Sequence, residues 1–493
     1  MAQAPIEPYA LDSNWDHIYT NGKRLQPRGR ETLEVNNPAT GDVIAEVPVS
    51  TTDDVDDAVE AAVEAQSEWA AMPPQARAEV IQKALGILQE NGDTIAESLV
   101  AEGGCTRFKA GVELEQLAPG IMAESASFPT RMVGKTADSV IPGKEHEVHR
   151  EPAGVVSIIT PWNFPFHLSM RAVAPALALG NAVVLKPDPH TPVTGGLLLA
   201  KLFEDAGLPA GVLNVVPGGT EAGERAVSHP DVNVVSFTGS TEVGKQIGEV
   251  AGRDLKVQAL ELGGNNPQIV LNDADMDIAL NAASFGSFMH QGQVCIKINR
   301  HIVHESVADE YVERLSQRAK GLTVGNPDDP AVEIGPIINE SQRDQMMEFL
   351  EESVEQGATI ETGGDNDGLY VEPTVLTNVA NDMPISCNEH FGPIAPIITF
   401  SDVEEAIDIA NDTEYGLTAS VHTTNVQRGK SIAKRLETGM VHLNDQPIND
   451  EPHIPFGGVK NSGLGRYNTD AIIDEFTETK WISIQNKSRE FPI

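Results

Sequence analysis

Between residues 53 and 71 the chain reads DDVDDAVEAAVEAQSEWAA, with apolar side chains returning every three or four positions. That period predicts a surface helix, with Thr52 as its cap. ARAEVIQKALGILQEN (76–91) and the segment around 111–124 repeat the helical spacing. From 152 onward the pattern changes. VVSII (155–159), NAVVLK (181–186), VLNVV (212–216) and NVVSF (233–237) are short, largely apolar runs that predict strands. Helical stretches accompany them: HLSMRAVAPALALG (167–180), PVTGGLLLAKLFEDAG (192–207) and TEVGKQIGEVAG (241–252). Strands apolar along both faces, separated by helices, imply a parallel sheet covered on each side.

A second alternating region runs from about 261 to 460, with strands such as HIVH, APIITF and TASVHTT and helices such as SVADEYVERLSQRAK. Between the N-terminal helices and the first of these regions lies RMVGKTADSVIPGKEHEVHREP (131–152), two polar alternating strands around Pro142-Gly143-Lys144. This is a hairpin signal, and a hairpin so polar reads as an arm reaching another subunit. The late strand ETKWISIQNK (478–487) is a candidate to pair with it. The α/β organisation expected is therefore one unit from 1–130 and 153–260, a second from 261–466, and an arm and tail from 131–152 and 467–493.

Charge narrows the partners. The 493 residues carry 34 basic and 73 acidic side chains, a net charge of -39. Nucleic acid and anionic membranes would be repelled, and no run approaches the roughly 18 apolar residues of a membrane span. Such acidity resembles proteins of salt-accumulating organisms. Three scattered cysteines (Cys105, Cys295, Cys387) form no disulfide or metal pattern, and the first residues lack a signal-peptide profile, so a reducing cytoplasm is expected.

Of the three, Cys295 stands apart, set in MHQGQVCIKINR among glycine and polar residues rather than aliphatics. A polar frame favours the reactive thiolate. PWNFP (161–165) fixes Asn163 between prolines, which makes a preset donor for an oxyanion or merely a rigid turn. LELGGNNP (260–267) sets Glu261 between leucines and before two glycines, the surroundings of a base with a raised pKa. FTGSTEVGK (237–245) leaves a strand and opens a helix at Gly239 and Ser240, a weak phosphate signal. Lys186 ends a strand where parallel sheets bind ligands. EHFGPIAP (389–396) offers Glu389 and the flat ring of Phe391, and IPFGGVKNSGLGR (454–466) a glycine-rich loop. Cys105 and Cys387 lack comparable neighbours and read as packing residues.

Taken in order, PWNFP, KPDPHTP, FTGSTEVGK, LELGGNNP, GQVC, EHFGP and PFGGVKNSGLGR resemble the aldehyde dehydrogenase superfamily over nearly the whole chain. The resemblance implies a Rossmann-like coenzyme domain, an α/β catalytic domain, a β-hairpin oligomerisation arm, and a homodimer or homotetramer. It implies Cys295 as nucleophile, Asn163 as oxyanion donor and Glu261 as base. It also implies coenzyme contacts from Trp162, Lys186, Gly219, Gly239, Ser240, Gly244, Glu389 and Phe391. The expected activity is oxidation of an aldehyde to the acid with NAD; NADP is possible, because Pro189 stands where many NAD-preferring relatives carry a ribose-binding glutamate. KPDPHTP, SMRAVAPALALGN and VHLNDQPINDEPHIPFGG are most similar to the benzaldehyde, vanillin and salicylaldehyde branch, although Asp450 replaces an aromatic common among relatives. Two alternatives stand beside this reading: a semialdehyde dehydrogenase using Arg171 against a substrate carboxylate, and a retired binding protein of the same fold.

Overall fold

The computed structural model describes residues 9–11, 14–26 and 29–492. Its first sheet has eight strands, in the order Lys23–Leu25, Ile18–Thr20, Leu213–Val215, Ala182–Lys186, Val155–Ile159, Val234–Thr238, Val257–Glu261, Gly463–Leu464. The five inner strands run parallel. Val155–Ile159 and Ala182–Lys186 are buried at every position, which is why their sequences show no alternation. From Val155–Ile159 the chain builds outward in one direction through Ala182–Lys186 and Leu213–Val215. It then restarts on the other side with Val234–Thr238. That reversal opens a crevice beyond the carboxyl ends of Val155–Ile159 and Val234–Thr238, where open α/β sheets hold ligands.

The second sheet has seven strands, in the order Thr359–Thr362, Thr374–Thr377, Ile394–Phe400, Ile298–His304, Asn266–Val270, Thr418–His422, Met440–Leu443. Glu261 ends a strand of the first sheet and Asn266 begins one of the second, so the residues between them join the two layers. Gly463–Leu464 returns to the first sheet and pairs antiparallel with Leu260 and Glu261. The polar hairpin forms as read, with Lys135–Asp138 antiparallel to Lys144–Pro152. The tail strand Thr477–Gln485 pairs along the full length of Lys144–Pro152.

Local differences from the sequence reading have identifiable causes. The first helix, Thr52–Ala71, is capped by Thr51 rather than Thr52, because Thr51 and Asp54 make reciprocal bonds in a capping box. The stretch around 111–124 divides into Arg107–Gly111, a π-helical segment Val112–Leu117, and Ala118–Ser125. Residues 192–207 also begin with a wide turn, Val193–Leu197, whose first amides donate to the buried Glu102 carboxylate (2.9 Å from Val193 N, 2.7 Å from Thr194 N). Among the described residues no helix is long and apolar enough to cross a membrane, and no group of His, Cys, Asp or Glu could hold a metal ion.

One buried amide ties the first sheet to the tail. Asn181 accepts from Gly154 N (2.9 Å) and donates to Ala176 O (3.2 Å) and to Phe476 O (3.0 Å), next to the final strand. Asn181→Ala leaves these backbone groups unpaired in the interior. It should lower stability by about 2–4 kcal/mol, read as a lower denaturant midpoint, with little effect if water replaces the amide.

Candidate active site

Three strand ends converge on the crevice. After Val155–Ile159 the chain passes through Pro161, Trp162 and Asn163 before Pro165 opens the helix Pro165–Ala178. Asn163 is buried and its Nδ2 donates to Gln293 O at 2.9 Å. One N–H therefore fixes the amide plane and leaves a second on the same nitrogen. After Val234–Thr238, Gly239 makes the turn, and a Cβ there would press on the Phe237 ring at 2.5 Å. Ser240 then caps Thr241–Arg253. Glu261 closes the third strand, fixed by pairing with Thr238 on one side and Gly463 on the other. Its carboxyl is buried and neither oxygen has a hydrogen-bond partner. It occupies space that a side chain at Gly457 would need, since a Cβ there would lie 2.5 Å from Glu261 Oε1. Burial pushes Glu261 up to about 8, against the pull of Arg171 and Arg466.

The frame around Cys295 serves a different purpose from the one its polarity suggests. His290, Gln291 and Gly292 all take positive φ (51°, 56° and 69°), and a side chain at Gly292 would collide with the Gly392 carbonyl. The polar side chains nearby are buried and bound to the backbone of other segments. Gln291 donates to Gly104 O (3.0 Å) and Pro336 O (2.9 Å), and Gln293 accepts from Ile338 N (2.9 Å). Arg300 donates to Ile409 O (2.7 Å), Ala410 O (2.9 Å) and Asn265 O (3.0 Å). The frame thus locks the loop rather than charging the sulfur. Burial pushes the Cys295 thiol up to about 12, against the pull of Arg171 and with Glu389, Glu261 and Asp450 adding to the rise. This differs from the thiolate-favouring frame expected from the sequence, because the polar neighbours are spent on carbonyls and amides.

Two cavities meet here. One of about 310 Å³ is lined by Trp162, Asn163, Glu261, Cys295, Glu389 and Phe391, together with Phe349 and Tyr415. The Trp162 and Phe391 rings stand edge to face, 5.5 Å apart at 85°. Glu389 accepts from Gly264 N at 3.0 Å and is pushed up to about 7 by burial. The other cavity, of about 730 Å³, is lined by Lys186, Asp188, Pro189, Gly219, Glu224 and an apolar face of Val243, Ile247 and Val250. Both share Pro161, Trp162, Thr238, Gly239 and Ser240, so the space is continuous from Lys186 to Cys295. Gly219 precedes the helix Thr220–Ser228 and has open space where a Cβ would be. Gly244 is not among the residues lining either cavity, and its missing side chain lets the helix settle on Leu262.

Sequence reasoning missed Asp188, Glu224, Phe349 and Tyr415 on these walls. The helical spacing of Val243, Ile247 and Val250 was visible, but nothing in it told a cavity from a core. Arg171 lies outside both linings. Its guanidinium stacks on Phe456 (4.6 Å) and Tyr467 (4.8 Å), and Nη1 donates to Asp450 Oδ2 at 3.3 Å. Asn468 (2.6 Å) and His167 Nε2 (3.1 Å) also meet Asp450, which is held down to about 2. Asp450 is the counter-ion of Arg171, and so departs from the aromatic common at that place. Cys105 is buried with its thiol 3.4 Å from Leu99 O, while Cys387 is exposed.

The comparisons agree with this geometry. A model of the aldehyde dehydrogenase family matches residues 25–482. The chain is 49% identical over 487 residues to an NAD(+) benzaldehyde dehydrogenase of Pseudomonas putida, across 98% of this chain and 97% of that one. It is 47% identical over 452 residues to a vanillin dehydrogenase of Corynebacterium glutamicum, across 91% and 93%. The structure of a betaine aldehyde dehydrogenase of Staphylococcus aureus in complex with NAD+ superposes with a TM-score of 0.95 at 32% identity, covering 98% of this chain and 97% of that chain. With a sheet-reversal crevice, a buried carboxylate and a cysteine on one continuous cavity, the chain belongs to the aldehyde dehydrogenase family.

Proposed function

We propose that this chain oxidises an aromatic aldehyde to its carboxylic acid, with NAD as coenzyme and Cys295 as nucleophile. The observation that carries the reading is the continuous space joining Cys295, Asn163 and Glu261 to the cavity of Lys186. That space fits a dinucleotide: an apolar wall, a capped helix N-terminus at Ser240 suited to phosphate, and the flat ring of Phe391 beside Trp162. When bound, the nicotinamide takes up the hydride that leaves the substrate carbon. Lys186 and Glu389 would hold the two ribose ends, Gly219, Gly239 and Ser240 the phosphates between.

Cys295 Sγ loses its proton and attacks the aldehyde carbon, giving a thiohemiacetal. The second N–H of Asn163, with the Cys295 backbone N–H, stabilises the resulting oxyanion. Oxidation of that carbon leaves a thioester on Cys295. Glu261 then removes a proton from water, the water oxygen attacks the thioester carbonyl, and the C–S bond breaks to release the acid and return Cys295 as its thiolate. Similarity to benzaldehyde and vanillin dehydrogenases supports an aromatic substrate. So do the apolar side chains of Leu168 and Phe349, which line the cavity of Cys295. A semialdehyde carboxylate would need a free cation, and Arg171 is already paired with Asp450. We further propose that the arm meets a second copy of the chain, supported by the exposure of Val140 in its turn and of Trp481 and Ile482 on its sheet.

Cys295→Ala should abolish NADH formation from benzaldehyde and NAD by about 10⁴-fold or more; retained turnover would contradict the scheme. Glu261→Gln should keep a first burst of NADH but slow steady turnover by about 10²–10⁴-fold. Because Glu261 acts only when ionised and its pKa is raised to about 8, hydrolysis-limited turnover should climb with pH and level off above that value. A flat profile from pH 6 to 9 would count against Glu261 as base. At the far end, Asp188 and Glu224 line the wall where a 2′-phosphate would sit, in place of the carboxylate lost at Pro189. NADPH should therefore bind about tenfold or more weaker than NADH, and Asp188→Ser should narrow that gap in a fluorescence titration.

A further inference from the structure

We propose that Lys297 is a positioning residue that clamps the Cys295 segment to the loop bearing Glu389 and Phe391 and keeps Glu389 able to accept the coenzyme ribose. The inference rests on the reading of Glu389 as a coenzyme contact. Lys297 lies two residues beyond the nucleophile and is fully buried. Its Nζ donates to Gly392 O (3.0 Å) and Ile394 O (3.1 Å), and lies 3.2 Å and 3.4 Å from the two ring nitrogens of His390. Carbonyl oxygens can only accept, so this spot demands a donor, and an ammonium brings three.

The clamp closes a circuit of backbone contacts. Asn266 Nδ2 donates to both Cys295 O (2.8 Å) and Lys297 O (2.7 Å), while Gly264 N, two residues before Asn266, donates to Glu389 Oε1. The turn carrying the glycines, the nucleophile loop and the coenzyme loop therefore hold one another in register. The chain needs no lysine for packing here; an apolar side chain of like size would fill the volume and leave two carbonyls orphaned.

Charge gives the clamp its second effect. The groups facing Glu389 are Lys297, the Gly264 amide, Cys295 and Tyr415, with His390 next to it in the chain. Of these, Lys297 is the basic group: burial pushes its ammonium well below the usual lysine value, and the Glu389 carboxylate pulls it back up. Burial raises Glu389 toward about 7, and Lys297 and the Gly264 N–H oppose the rise. Without the ammonium, more of Glu389 is protonated at neutral pH and fewer lone pairs meet the ribose hydroxyls.

The test is NADH binding by the full chain, followed by fluorescence across pH 6 to 9. Lys297→Met should weaken NADH about tenfold at pH 7.5 and move the acid limb of binding to higher pH. Lys297→Gln, which keeps one donor but no charge, should show the same pH displacement with a smaller loss of thermal stability, and serves if the methionine variant does not fold. Iodoacetamide labelling of Cys295 without coenzyme should change less than threefold, since the thiol itself is not the target. A drop in melting temperature with NADH affinity and its pH profile unmoved would reduce Lys297 to a structural strut and overturn the proposal. Glu389→Gln is the control: if it binds NADH as well as the parent, the coenzyme role of Glu389 is what fails.

Discussion

Glu261 holds a carboxyl group in the interior with no hydrogen bond to either oxygen, and much of the site follows from how that is tolerated. A desolvated carboxylate of this kind would relax toward solvent or a donor if its backbone could move. Here Thr238 and Gly463 pair with Glu261 from both sides, and the glycine at 457 leaves a slot that admits the oxygens and nothing larger. The strand ladder supplies the rigidity, and burial supplies the basicity. A carboxyl with a pKa near 8 takes a proton from water more readily than an exposed one near its usual value.

The same economy runs through the thiol's surroundings. Gln291, Gln293, Asn266, Lys297 and Arg300 spend their polarity on carbonyls and amides of five separate loops. Cys295 is consequently held in place more firmly than it is activated. Arg171, whose charge pulls the thiol down, is itself paired with Asp450.

Legibility in the sequence followed the range of the interactions involved. Strands Val155–Ile159, Ala182–Lys186 and Val234–Thr238 were readable because an apolar run buried on both faces is a local signal. The hairpin around Pro142-Gly143 and its late partner strand were readable through turn chemistry and alternation. Cys295, Asn163 and Glu261 could be singled out by motif order, since each sits at a strand end or turn with a distinctive composition. Contacts between distant segments were not readable. Arg171 looked like a free cation because Asp450 is 279 positions away, and Lys297 looked like part of a solvated polar run because its carbonyl partners lie 95 and 97 positions on. Gly244 was named through the family resemblance, and only the position of Leu262 shows how closely the helix packs there. The capping residue moved by one place because Thr51 and Thr52 are chemically alike and only Asp54 at the third position chooses between them.

At the centre of this account is an acyl group carried on one sulfur and released by one carboxylate. The most direct measurement is rapid acid quenching of the Glu261→Gln variant with benzaldehyde and NAD, followed by peptide mass spectrometry. A benzoyl group should be found on the peptide containing Cys295 in near-stoichiometric yield, and none on those containing Cys105 or Cys387. An unmodified Cys295 peptide from enzyme that has already produced NADH would contradict the covalent route.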